Sequence, residues 1–202
     1  MTIRKGEPWG ELVASPAGLF VAADDAAAGR FVRDALATGT DVPPFGVSGG
    51  DLARTMGGGV PGRFPGDVTR AAVDLLRVEA DGRETVAVAH VVVGTWWRGD
   101  CRIALNAQYL GPLDLAPRSH PNDGRLDALV LAPAMSWRAR FQARRRARSG
   151  THLPHPQLSM TQTAAVSWTF DHALPLTVDG QRWGSATTVT VTVLPDALVV
   201  HA

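Results

Sequence analysis

Residues 172–202 read HALPLTVDGQRWGSATTVTVTVLPDALVVHA. An apolar, β-prone run reaches Asp179-Gly180-Gln181. A second, Thr187 to Val193, alternates threonine and valine, and a third, Leu198 to Val200, follows Pro195-Asp196. Period-two alternation marks strands with one buried face. Asp-Gly between two such runs is a hairpin signal, because glycine accepts positive φ. The stretch predicts a small antiparallel sheet of three strands, with the Asp179 carboxylate held at a tight turn. Taken alone, an aspartate in an Asp-Gly pair is a turn residue; a further role has to come from the rest of the chain.

Working backwards, the same pattern recurs. Ala72 to Ala80 and Glu84 to Val93 flank Asp81-Gly82, a second hairpin signature. Trp96-Trp97 precede a turn at Arg98-Gly99-Asp100, and Cys101 to Asn106 reads as a strand with Ile103 and Leu105 on one face. Residues 111–124 are rich in Pro, Asp and Asn and read as a loop. Leu126 to Leu131 is a strand, Met135 to Arg148 a helix, and strands resume from Leu158 to Phe170. Roughly nine strands with tight turns predict a sandwich or a strongly curled sheet.

The segment before Gly66 differs in character. Gly18 to Ala23 reads as a short strand. A helix capped by Asp24 or Asp25 runs to about Leu36, with Phe31, Val32, Ala35 and Leu36 on one face, and Gly39 stops it. Phe45-Gly46-Val47 is a second strand, and Ser48-Gly49-Gly50-Asp51 leads into a helical turn from Leu52 to Met56. Gly57-Gly58-Gly59 before Pro61 is a connector. The predicted class is α+β: a short α/β lobe over residues 1–58 and a mainly antiparallel β domain over 59–202.

Composition narrows the function classes. The chain has 202 residues, 45% hydrophobic and 19% charged, with net charge +1 and one cysteine. No global field selects nucleic acid or an acidic partner. A lone Cys101 excludes an intrachain disulfide and fits a reducing interior. Residues 1–13 carry no apolar core of signal-peptide length, and the aliphatic run Val86 to Val93 is too short to span a bilayer, so a cytoplasmic location is expected. No G-x-S-x-G follows a strand, so a Ser-His-Asp hydrolase is unsupported.

Three segments in order carry a resemblance. The first is Val21-Ala22-Ala23-Asp24-Asp25-Ala26. The second is Gly46-Val47-Ser48-Gly49-Gly50-Asp51-Leu52-Ala53-Arg54-Thr55-Met56-Gly57. The third pairs Asn122-Asp123-Gly124-Arg125-Leu126-Asp127 with Leu176-Thr177-Val178-Asp179-Gly180-Gln181. They resemble the Gly-Gly-Asp-Gly-Thr, Gly-Thr-Gly-Asn-Asp-x-Ala-Arg, Asp-Gly-x-Leu-Asp and Asp-Gly-Glu segments of the diacylglycerol kinase and sphingosine kinase family, relatives of the NAD kinases. The resemblance implies an α/β nucleotide lobe on a β-sandwich, with ATP between them and a phosphoryl group passed to a lipid hydroxyl. It implies Asp179 as the base and Asp24, Gly49, Gly50 and Asp51 beside the nucleotide. It implies Asp123 and Asp127 near Mg²⁺, or at the start of a strand.

Four departures stand against full kinship. Only 17 residues precede Gly18, so a shortened lobe is expected, without the family's early strand–helix units. Ala22, Ala23 and Asp25 replace glycines, and a methyl group obstructs backbone approach to phosphate. An Asp25 charge at ~4 Å from a phosphate, at an effective dielectric of ~20, repels by roughly 4 kcal/mol, about a thousandfold in affinity. The second glycine loop lacks its Thr and Asn, and Gln181 stands where the family has a metal-binding Glu. Two expectations follow: an ATP-dependent lipid or small-hydroxyl kinase, or a kinase-derived binding or interaction module without catalysis.

Arg138, Arg140, Arg144, Arg145, Arg146 and Arg148 form a basic run with Trp137 and Phe141 four apart. This is a solvated helix face, or a docking edge for an anionic membrane. His152 and His155 flank Pro154 and read as a surface loop rather than a metal pair. Expected partners are a small-molecule or lipid ligand and a second copy of the chain covering an exposed sheet edge, with no nucleic acid.

Overall fold

The computed structural model describes residues 9–59 and 63–202. The N-terminal reading of a missing signal sequence, and the connector at Pro61, fall partly or wholly outside these residues.

The chain opens with β1 (Gly10–Ala14), β2 (Val21–Ala22), α1 (Asp25–Ala37), β3 (Phe45–Val47) and α2 (Gly50–Thr55). Four strands follow: β4 (Asp67–Ala80), β5 (Arg83–Ala87), β6 (His90–Thr95) and β7 (Arg98–Leu105). A small ribbon, β8 (Tyr109–Leu110) and β9 (Leu113–Asp114), leads to β10 (Leu126–Leu131) and α3 (Trp137–Ala147). The last elements are β11 (Leu158–Thr163), β12 (Ala165–Val178) and β13 (Gln181–His201). Apart from the β8–β9 ribbon, the strands form one 11-stranded sheet, mostly antiparallel.

Two long strands make its spine. β4 and β13 pair antiparallel from Val189↔Ala80 to His201↔Arg70. Each changes its outer partner midway. β4 carries β1 along its first residues and β5 along its last. β13 carries β12 from Gln181 to Thr192, then β3 in parallel at Val200↔Phe45 and His201↔Gly46. A strand twice the usual length, with partners that diverge at its middle, curls the sheet into two faces with separate cores. Phe45, Leu52, Val73 and Val200 pack beneath α1 and α2. Leu76, Val91, Leu176 and Val189 fill the fold of the sheet. Cys101, Ile103, Leu129 and Ala143 pack under α3.

The alternating Thr187–Val193 run and the Asp179-Gly180 turn are as the pattern predicts. The expected third strand after Pro195 is instead a continuation of β13 across an irregularity between Leu194 and Leu198. Pro195 has no N–H for the ladder. Asp196, at φ 54°, turns its own N–H away to Asp74 Oδ1 at 2.9 Å. The other Asp74 oxygen accepts from Gly124 N–H at 2.7 Å, which ties the 121–124 loop to the sheet.

Other boundaries shift. The predicted strand from Glu84 to Val93 is interrupted at Val88 and Ala89, and the one from Leu158 to Phe170 at Ala164. The strand expected from Gly18 to Ala23 shrinks to β2. In α1, Ala28, Gly29 and Val32 form the inward side, while Leu36, expected on it, is 44% exposed. His152, read as a surface-loop residue, is buried. Among the described residues, no helix is long and apolar enough to cross a membrane.

Candidate functional site

The turn between β12 and β13 places Asp179 with φ 47°, against the break between β5 and β6. Its carboxylate accepts three backbone hydrogen bonds: Oδ2 from Val88 N–H at 3.0 Å, and Oδ1 from Ala89 N–H at 2.9 Å and His90 N–H at 3.2 Å. Its own N–H donates to His90 C=O at 2.9 Å. This explains why the aliphatic run Val86–Val93 is not one strand. Its middle amides turn out of the ladder to meet a side chain. Arg33 Nη1 stands 3.9 Å from Asp179 Oδ2 and donates to Val86 C=O at 3.1 Å.

Asp24 and Asp25 behave differently despite adjacency. Asp24 caps α1, its side chain accepting from Ala27 N–H at 2.7 Å in the exposed position that an N-cap favours. Asp25 is buried and points across to α2. Its carboxylate accepts from Asp51 N–H at 2.6 Å and Leu52 N–H at 3.0 Å. Burial pushes the Asp25 carboxyl up to about 6, and the two N–H bonds work against that rise. Gly50, at φ +93°, is required here: a Cβ on it would stand 2.6 Å from Asp25 Oδ1. Gly49 is likewise pressed against the Ala23 carbonyl.

Asp51 and His90 complete the group. Asp51 Oδ2 accepts from Gly111 N–H at 2.9 Å and lies 3.2 Å from His90 Nε2. His90 Nδ1 lies 3.9 Å from Asp179 Oδ1, beyond hydrogen-bond length. Burial disfavours a charged His90, but the Asp179 and Asp51 carboxylates outweigh it and carry the imidazole up to about 10. Both carboxylates thus favour the protonated imidazole, although Nδ1 has no hydrogen-bond partner.

Asp24, Asp51 and Asp179 line one open cleft of about 500 Å³, together with Asp25, His90 and Arg144. Asp179 forms part of its floor, with its side chain wholly shut off from solvent. Asp123 and Asp127 do not line this cleft. Asp123 closes a turn by accepting from Arg125 N–H at 2.9 Å. Asp127, on β10, is engaged with the Ser119 and Gln162 side chains and borders a different cavity with His155 and Met160. Among the described residues, the side chains close enough to share a metal ion are Asp25, Asp51 and His90, their ligand atoms within 4.8 Å of one another. Mg²⁺ prefers an all-oxygen shell, and a histidine in the set does not suit it.

Sequence reading missed His90 and the inward turn of Asp25. A histidine inside an aliphatic run was the available signal, since a buried polar side chain in an apolar strand needs a partner.

The chain belongs to the YegS C-terminal NAD kinase beta sandwich-like domain family, whose sequence model matches residues 68–202. Its fold is similar to that of a diacylglycerol kinase from Bacillus anthracis str. Sterne, with a TM-score of 0.62 at 13% identity, over 89% of this chain and 74% of that one. Two further structures from the same organism, whose names also refer to a diacylglycerol kinase, give TM-scores of 0.66 and 0.65. The first is 11% identical over 90% of this chain and 77% of its own, the second 12% over 89% and 75%. No curated protein matches. At these identities the likeness is one of fold.

Proposed function

We propose that this chain is a ligand-binding relative of the lipid kinases that does not transfer phosphate from ATP. In this reading residues 1–58 are a shortened counterpart of a nucleotide lobe. The observation that carries it is the Asp25 carboxylate on the Asp51 and Leu52 amides. Glycine-loop amides facing a cleft are the groups that cradle phosphate in phosphoryl-transfer sites. Here an internal anion fills that position. The cleft around it carries Asp24, Asp51 and Asp179 against His90 and Arg144. Such a lining disfavours a polyanion and suits a small ligand bearing hydroxyl or cationic groups.

The test is thermal stability with Mg²⁺-ATP. A nucleotide present at one hundredfold its dissociation constant would add about 2.7 kcal/mol. The expected result is no shift at millimolar nucleotide; a saturable shift overturns the proposal. One observation favours a second reading, a working lipid kinase with Asp179 as base: Asp24, Asp51 and Asp179 share one cleft. Transfer of labelled phosphate from ATP to diacylglycerol in mixed micelles would establish that reading and displace the first.

A further inference from the structure

We propose that the outer face of α3, with the β6–β7 turn, docks on an anionic phospholipid surface beside the cleft. The inward side of α3 is Arg140, Ala143 and Ala147, spaced as helical periodicity requires. Arg140 thus leaves the basic run. It is fully buried and donates to the carbonyls of Met135, Trp96, Gly99 and Ala132.

The outward side is unusual for a solvated helix. Trp137 is 67% exposed and Phe141 55%, one turn apart, and Trp97 on the neighbouring turn is 52% exposed. Large aromatics standing clear of a surface mark an interaction site when they cluster. Arginines are interleaved with them. The Arg138 guanidinium lies 5.4 Å from the Trp137 ring, and that of Arg144 5.4 Å from the Trp97 ring. The helix carries no acidic residue, and among the described residues none of Arg138, Arg144, Arg145, Arg146 and Arg148 is in a salt bridge. A solvated helix would mix both signs and keep aromatics inward. Aromatic side chains for the acyl boundary, flanked by arginines for headgroup phosphates, match an anionic bilayer interface.

Arg144 fixes the location. It packs on Trp97 and also lines the cleft of Asp51, His90 and Asp179. Docking through this face would set the cleft mouth at the lipid surface. The inference does not depend on whether the cleft takes nucleotide.

The experiment is co-sedimentation of the full chain with vesicles of phosphatidylcholine alone and of phosphatidylcholine with phosphatidylglycerol, across a salt series. Binding to the mixed vesicles only, weakening as salt shortens the screening length, is expected. Replacing Arg138, Arg145 and Arg148 by Gln should cost roughly fivefold in partition coefficient per arginine. Trp97→Ala, Trp137→Ala and Phe141→Ala together should cost at least about tenfold, with an unchanged melting temperature because these side chains are exposed. Equal binding to neutral vesicles, no binding, indifference to the aromatic substitutions, or stronger binding to an RNA oligonucleotide than to vesicles would each overturn the proposal.

Discussion

His90 Nε2 stands 3.2 Å from Asp51 Oδ2, a link that ties α2 to β6. Its strength depends on pH. The His90 imidazole is raised from 6.5 to about 10, so the folded state holds a proton that the unfolded chain releases. The stability this brings is complete below pH 6.5 and is lost as pH rises through about 10. Asp25 has the same sign at lower pH: its carboxyl, raised from 3.8 to about 6, favours the fold below 3.8 and less as pH passes about 6. Urea midpoints measured across pH should therefore decline in two windows. His90→Gln should flatten the upper one and Asp25→Asn the lower.

Asp179→Asn removes acceptor capacity from a site with three N–H donors. An amide has one carbonyl oxygen, and its NH₂ would face donors. With its oxygen in the Oδ1 place the amide leaves one buried donor, Val88 N–H, unpaired, so a loss of about 1–3 kcal/mol is expected. For a domain of this size that lowers Tm by roughly 2–12 °C. Calorimetry of the variant tests this. A loss of any activity in it, without the Tm measurement, would not identify a base.

Gly29 lies on α1 directly beneath that carboxylate. A Cβ there would stand 2.5 Å from Asp179 Oδ2 and 2.9 Å from Arg33 Nη1. The aspartate cannot yield, because three amides hold it. Gly29→Ala should destabilise by about 1–3 kcal/mol, although alanine is the better helix former. An unchanged denaturation midpoint would show that α1 shifts freely over the sheet.

Arg140 is buried with carbonyl oxygens as its partners. Lysine offers a compact ammonium and cannot reproduce donation in several directions at once. Arg140→Lys is expected to cost about 3 kcal/mol or more, and Arg138→Lys, on the exposed side, less than ~0.5 kcal/mol. Thermal melts of the two variants should separate accordingly.

Local chemistry was legible in the sequence wherever partners were neighbours. The Asp179-Gly180 and Asp81-Gly82 turns, an α1 cap at Asp24 or Asp25 and the α3 helix all follow from short-range pattern; that the cap is Asp24 does not. Pro195-Asp196 misled, because a proline reads as a strand end. The bulge depends on Asp74, which lies far upstream. The site was half legible. Asp24, Asp51 and Asp179 stood out through their motifs. His90 did not, since its two carboxylate partners, on α2 and at the β12–β13 turn, are brought to it only by the tertiary fold. Within the basic run, Arg140 carried no compositional mark of burial; small residues at Ala143 and Ala147 were the trace of an inward face.

β13 follows in the chain every strand it pairs with: β3, β4 and β12. During synthesis each of those strands can pair on its other side, with β1 and β5, β6 or β2, but the edge that β13 covers stays open until β13 emerges. The spine of the sheet can therefore close only after β13 has emerged, through long-range pairing that is slow by nature. A nascent chain stalled before Gln181 would present unpaired strand edges, the surface on which chains aggregate.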